Sequence, residues 1–167
     1  MTSTDLCPVL SARPLTAENF APFGMLLGQP TTAPSLERGD ITFWNATADL
    51  VGLAGSGVTG HLIAHRRGGT LTQIERHNHS PEVFIATAGH SLLVFGPPGP
   101  PDPASLQVFE VQAGQAVLLH QGTWHWAPYP LTETATFLLL LRAETAEHDV
   151  EIFDIPAHRL EPAGPSP

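Results

Sequence analysis

Lysine is absent from this chain, and all seven of its basic residues are arginines. Sixteen acidic residues outweigh them, for a formal net charge of −9. That balance excludes a partner whose phosphates it would repel, so no nucleic acid is expected. A small anionic substrate stays open, because a few arginines can focus a pocket locally. The one cysteine, Cys7, has no partner for an internal disulfide. Without a Cys-x-x-Cys pair there is neither a thiolate zinc site nor a dithiol redox centre. Long apolar runs are missing too. The longest, Ala135 to Leu141 interrupted by Thr136, is far too short to cross a bilayer, and no membrane role is expected. The first residues lack a basic segment followed by an apolar one, so a cytoplasmic protein is the expectation.

What is present points to a β protein. Hydrophobic residues make up 42% of the 167 and charged ones only 14%, enough apolar material for one real core. Proline (17) and glycine (15) together approach a fifth of the chain, which favours short elements joined by tight turns. One helical turn is predicted over Leu15–Phe20, with Thr16 as its N-cap and Pro22 and Gly24 ending it. From Ile41 onward the pattern is strand, turn, strand. Strands are predicted at Ile41–Asn45, Gly60–His65, Thr70–Glu75, Glu82–Ala88, Ser91–Phe95, Leu106–Val111, Gln115–Leu119, Trp124–Tyr129, Thr134–Arg142 and Glu151–Ile155. Ala88-Gly89-His90 reads as a hairpin connection, and Gly96–Pro103 as an exposed proline-rich loop. The expected organisation is a tail over 1–12, one all-β sandwich or barrel over 13–156, and a tail over 157–167.

Chemistry concentrates in Glu75-Arg76-His77-Asn78-His79-Ser80-Pro81-Glu82 and in His120-Gln121-Gly122-Thr123-Trp124-His125. In a strand, i and i+2 share a face, so His77, His79 and Glu75 point one way and Arg76 the other. Two imidazoles on one face, with Glu82 returned by a bulge at Ser80-Pro81 and His125 supplied from an opposing strand, make a three-nitrogen, one-oxygen metal set. Such a set suits zinc, iron, nickel, manganese or copper. Other histidines (His61, His65, His90, His148, His158) read as surface or hydrogen-bonded core. Arg66-Arg67 reads as a solvated turn, Glu75 as the partner of an arginine, and Trp124 and Trp126 as core or rim packing.

Two stretches resemble a known superfamily. Gly69 to Gly89, carrying His77-x-His79-x-x-Glu82, resembles the first motif of the cupins, and Gly114-x5-His120-x-Gly122-x-x-His125 the second. They depart from it in a short gap before Glu82 and in His120, where cupins usually have proline. The second departure is shared with one cupin family. Leu15-Thr-Ala-Glu-Asn-Phe-Ala-Pro-Phe-Gly24, Glu75-Arg76-His77, Phe84-Ile85, Gly114–His120, Trp124-His125 and Asp149-Val150-Glu151 fall in the order seen in ureidoglycolate lyases, over about residues 13 to 155. The family usually has glutamine where Glu82 stands and an aspartate where Leu141 stands. Its asparagine-glycine segment followed by an arginine is not evident in Ile41–Ala48.

The resemblance implies a cupin-like jelly-roll barrel (a double-stranded β-helix), homodimeric, that splits ureidoglycolate into glyoxylate and urea during recovery of purine nitrogen. On that reading a divalent ion (zinc, manganese, nickel or iron) sits on His77, His79, His125 and Glu82. His120 moves the proton, Arg66 or Arg76 takes the substrate carboxylate, and Trp124 walls the pocket. The rival readings are another metal-dependent cupin enzyme, a dioxygenase or isomerase of a small organic acid, and a non-catalytic cupin that binds a small ligand.

Overall fold

Every residue from Ser91 to Gly96 is buried. Successive side chains of a strand point to opposite faces, so both faces of this one are covered. A strand of that kind must lie between two cores. The computed structural model describes residues 7–28 and 30–164. Its first elements are β1 (Val9–Arg13), α1 (Ala17–Phe20), β2 (Gly24–Leu27), β3 (Leu36–Glu37), β4 (Thr42–Phe43), β5 (Gly57–His65) and β6 (Thr70–Arg76). Then come β7 (Glu82–Ala88), β8 (His90–Gly96), β9 (Gln107–Gln112), β10 (Ala116–Leu119), β11 (Trp124–His125) and β12 (Tyr129–Pro130). The chain ends in β13 (Thr134–Arg142), α2 (Thr145–His148) and β14 (Glu151–Glu161).

The larger sheet runs β11-β6-β14-β1-β9-β8-β12, and β11 also pairs with β8. Six strands therefore close on themselves. Leu71, Ile74, Leu92, Val94, Val108, Trp124, Ile155 and Leu160 form one buried cluster on the inner side of that closed wall. The smaller sheet, β2-β10-β7-β13-β5, lies against the wall's outer side. Between the two sheets sits a second, aromatic core of Phe20, Phe23, Phe84, Phe95, Phe109 and Phe137. Alternation along β8 sorts the residues: Leu92 and Val94 join the first core, Leu93 and Phe95 the second. The result is an all-β, cupin-like barrel, as the sequence led us to expect.

Local chemistry explains the entry into the second core. Thr16 caps α1, its Oγ1 accepting from the Asn19 amide at 3.1 Å. The single turn that follows drops Phe20 edge-on against Phe95 (5.1 Å between ring centroids, 85°) and Phe109 (5.7 Å, 79°). Gly24 does not end an element, as its sequence context suggested, but opens β2. A Cβ there would lie 2.0 Å from the Leu118 carbonyl oxygen, so only glycine lets β2 approach β10.

Other expectations need correction. Of the segments read as tails, residues 9–12 and 157–161 are strand, while 1–6 and 165–167 lie outside the described residues. β1 pairs in parallel with β14 on one side and with β9 on the other, and β14 continues through residue 161. Pro156 hid this continuation. It falls in the register shift between Asp154 and His158, where a missing N–H costs no ladder bond. Ala88-Gly89-His90 is not a hairpin but a corner that hands the chain from one sheet to the other. Gly89 has φ +81°, and a Cβ on it would meet the Thr134 carbonyl at 2.5 Å. The strand expected at Trp124–Tyr129 is realised as β11 and β12, two pieces on the same edge of β8.

Without β1, β9 and β14 would face each other across an unpaired gap. Ala12, 8% exposed and in register with Val108, packs into the inner core there. Ala12→Asp is therefore expected to cost on the order of 3 kcal/mol or more in denaturant unfolding. A loss within about 0.5 kcal/mol would show that closure by β1 contributes little.

Candidate metal centre

Alternation in three strands brings the site together. On β6, Ile74 points into the inner core, so Glu75 points out toward the smaller sheet. On β11, Trp124 points in and His125 out, and His125 is in register with both Glu75 and Phe95. On β7, Phe84 and Ala86 face the aromatic core, and Glu82 shares their face two residues earlier. His77 follows the end of β6. The four side chains thus meet at the rim of the aromatic core, with the Phe84 ring 6.1 Å from that of His125.

His125 Nε2 is 3.2 Å from Glu82 Oε2 and 3.8 Å from Glu75 Oε1, and His77 Nε2 is 3.4 Å from Glu82 Oε2. The side chains of His125, Glu82 and His77 are 4%, 6% and 9% exposed, that of Glu75 26%. The cluster is therefore sealed on the core side and open beside Glu75. Hydrogen bonds assign the ring protons. His77 Nδ1 lies 2.6 Å from the Asp149 carbonyl oxygen and His125 Nδ1 3.0 Å from that of Thr123. A carbonyl can only accept, so both Nδ1 atoms carry the hydrogen and both Nε2 atoms are bare in the neutral rings. Two lone pairs and Glu82 Oε2 then converge, and while the rings are neutral that buried oxygen meets no donor among the described residues. Acceptors packed this way favour a cation between them.

Protons are one such cation. Burial pushes the His77 pKa down, but the Glu82 carboxylate beside it outweighs burial and the pKa is raised from 6.5. Burial would raise Glu82, yet hydrogen bonds and charge from His125 and His77 hold it at about 2. A divalent metal is the other cation. Glu75, His77 and His125 each offer a donor atom within 4.8 Å of the others, a group able to hold a metal ion. Glu82 Oε2, buried and without a partner, fits the same role.

The residues singled out from sequence are distributed unevenly. His77, Glu82 and His125 come together. His79 leaves the cluster, its side chain 81% exposed and its Nδ1 3.0 Å from Asp149 Oδ1. Glu75 occupies the place that the His-x-His spacing suggests for a second histidine. The signal was available, since Glu75 shares a strand face with His77. Counted from His77, four residues precede Glu82 rather than two, so the gap that looked short is not.

His120 follows Leu119, which points into the aromatic core, so alternation turns His120 outward, where it is exposed. Trp124 is 1% exposed and points into the inner core, opposite His125. Arg76 stacks on that indole, 4.4 Å from its ring centroid, with its donors spent on Glu151 and the Gly99 carbonyl. Arg66 follows β5 at the far end of the barrel, where His65 pairs with Thr134. That is seven residues of β13 from Leu141, or about 23 Å. Leu141 itself is one step beyond the Leu140–Val83 pair and so stands across from Glu82.

The family model described as Ureidoglycolate lyase matches residues 7–160. The chain belongs to the ureidoglycolate lyase family. Among curated relatives, "Ureidoglycolate lyase 2" of Rhizobium meliloti is 30% identical over 143 residues, covering 80% of this chain and 85% of that protein. The ureidoglycolate lyase of Mesorhizobium japonicum is 29% identical over 150 residues, with the same coverage. That of Burkholderia cepacia is 29% identical over 146 residues, 81% of this chain and 80% of the relative. Among solved structures, an oxalate decarboxylase from Bacillus subtilis aligns with a TM-score of 0.43 and 12% identity, over 60% of this chain and 24% of that one.

In the metal-free lyase-family chain the two shifted groups act in opposite windows. Glu82 contributes stability above the ordinary carboxylate range, lost as pH falls through about 2. His77, raised above 6.5, contributes stability below that value, lost as pH rises through its folded pKa. A divalent ion competes with the proton, so the melting temperature it adds should grow from mildly acid to alkaline pH. Thermal scans with metal and with chelator across that range check this. An ion effect that is flat or shrinks with pH contradicts it.

Proposed function

We propose that this protein is a ureidoglycolate lyase, cleaving the carbinol C–N bond of ureidoglycolate to release urea and leave glyoxylate, at a divalent metal on Glu75, His77, Glu82 and His125. The observation that carries the reading is the convergence of two bare imidazole nitrogens and two carboxylates in a member of this family. Charge supports it. An anionic substrate approaching Glu75 and Glu82 alone would be repelled, and a divalent ion cancels that repulsion. When bound, the ion supplies Lewis-acid activation of the carbinol hydroxyl.

The remaining work falls to side chains. His77 and His125, pinned through Nδ1, present Nε2 in fixed directions. Glu82 is locked from behind by the aromatic core. Glu75, the most exposed of the four, borders the open side. Its second carboxylate oxygen takes the hydroxyl proton as the carbonyl forms. The C–N bonding pair leaves with the urea nitrogen, and Glu75 returns the proton to that nitrogen. Phe84 beside His125 limits water. Proton transfer therefore rests on Glu75 and not on His120. The family resemblance also supports a cytoplasmic homodimer working in purine nitrogen recovery, and light scattering on the purified protein reads the assembly state.

The test is an assay of glyoxylate and urea from ureidoglycolate, paired with elemental analysis. Turnover is expected to vanish in chelator and return with a divalent ion. His77→Ala and His125→Ala should lose both metal and turnover. Glu75→Gln should lower kcat by about 10²- to 10⁴-fold, while His120→Ala and Arg66→Ala stay within about threefold of wild type. Undiminished activity in protein stripped of metal would sink the metal part of the reading.

A further inference from the structure

Two of the four proposed ligands flank a segment with no ladder of its own. β6 ends at Arg76 and β7 begins at Glu82, so the path of residues 77–81 decides whether His77 and Glu82 meet. That path is held from outside. The Gly122 amide donates to the His77 carbonyl at 2.7 Å, Gln121 Nε2 to the His79 carbonyl at 3.1 Å, and the Arg142 amide to Ser80 Oγ at 3.0 Å.

Most of the hold comes from a single residue. Asp149 Oδ1 accepts from the Asn78 amide at 2.8 Å, and Oδ2 from the His79 amide at 2.9 Å. The His79 ring adds a contact from Nδ1 to Oδ1 at 3.0 Å. The backbone carbonyl of the same residue accepts His77 Nδ1–H at 2.6 Å. Asp149 is in turn fixed at the end of α2, its amide donating to the Thr145 carbonyl at 3.0 Å, with its side chain 8% exposed. Three successive residues, 77 to 79, thus hang from the two ends of one aspartate. The carbonyl can hold the His77 ring only while the carboxylate keeps the neighbouring backbone in place. Remove the carboxylate, and two buried or half-buried amides lose their partner, so the loop must find another path.

We propose that Asp149 is a positioning residue of this centre: its carboxylate sets the 77–79 backbone so that its own carbonyl locks His77 as the Nδ1–H tautomer, with Nε2 turned to Glu82 and His125. The consequence for ion affinity rests on the reading of the cluster as a metal centre, whereas the tautomer lock belongs to the protein alone.

The two parts are measured separately. In metal-free protein with ¹⁵N-labelled histidine, at alkaline pH, the His77 ring (assigned by its loss in His77→Ala) is expected to show a protonated Nδ1 and a bare Nε2. In Asp149→Ala both tautomers should appear, with far-UV circular dichroism unchanged. Calorimetric Mn²⁺ affinity should fall about tenfold or more in Asp149→Ala, with part recovered in Asp149→Asn, which keeps one acceptor oxygen. His79→Ala deletes the ring contact but leaves both amide bonds, and should stay within about twofold of wild type in affinity. The proposal is overturned if Asp149→Ala keeps a single Nδ1–H tautomer and an affinity within about twofold. If Asp149→Ala does not fold, Asp149→Asn carries the same two readouts and the same criteria. Should wild type take up no Mn²⁺ while Asp149→Ala still loses the lock, the positioning role stands and the metal reading falls.

Discussion

Closure of the six-stranded wall is the constraint on which the rest depends. β1 bridges β14 and β9, so the wall has no open edge and can be buried on both faces. Only a wall of that kind uses both parities of its strands. One parity fills the inner core with Ile74, Trp124 and Val94, and the other faces the smaller sheet with Glu75, His125 and Phe95. The outward-facing pair Glu75 and His125 stands directly opposite Glu82 because the inner residues between them are packed and cannot rotate. A one-residue slip of β6 or β11 would exchange Glu75 for Arg76 or His125 for Trp124 and destroy the cluster.

The second layer of constraint is hydrogen bonding. Neither imidazole is oriented by its neighbours in the cluster. Each is fixed through Nδ1 by a backbone carbonyl, Asp149 for His77 and Thr123 for His125. Backbone acceptors on both rings turn both Nε2 atoms toward Glu82, as lone pairs whenever the rings are neutral. The carbonyl of Thr123 sits between two anchored points: its hydroxyl donates to the Phe23 carbonyl, and Phe23 belongs to the aromatic core. The ring of His125 is thus tied to the packing of Phe20, Phe23 and Phe95, which is how apolar burial far from any charge sets the direction of a nitrogen lone pair.

Much of this was legible in the residues, and the failures share a cause. Local patterns located seven of the strands from β5 to β14 within a few residues, the start of β14, the capped turn at Thr16, and the three residues His77, Glu82 and His125. What escaped depended on pairing between distant segments. β1 is five residues, and both of its partners are parallel and remote in sequence, so nothing local distinguishes it from a tail. β2 hid behind Gly24, whose need for no side chain comes from Leu118. Extending the period-two pattern of β6 past Arg76 put His79 with His77. The strand has already ended there, and Asp149, seventy residues away, takes the His79 ring instead. Glu75 was on the correct face throughout but was discounted as an arginine's partner. In fact Arg76 takes Glu151, because antiparallel register sets those two side by side.

A cluster built this way links function to stability through charge. Glu82 is almost fully buried and stays ionised only because His77 and His125 face it. Removing cations from the site leaves an uncompensated carboxylate at the edge of an aromatic core, an arrangement that folding tolerates poorly. The same desolvation that makes the bare cluster costly strengthens the grip on a divalent ion, since little water competes for the charge. On the proposed reading, the partial exposure of Glu75 would let a small anion reach an ion held there without opening the core. Burial of three ligands and exposure of the fourth then serve one end: the buried three would fix the cation, and Glu75 would hold it through one oxygen while the other exchanges a proton.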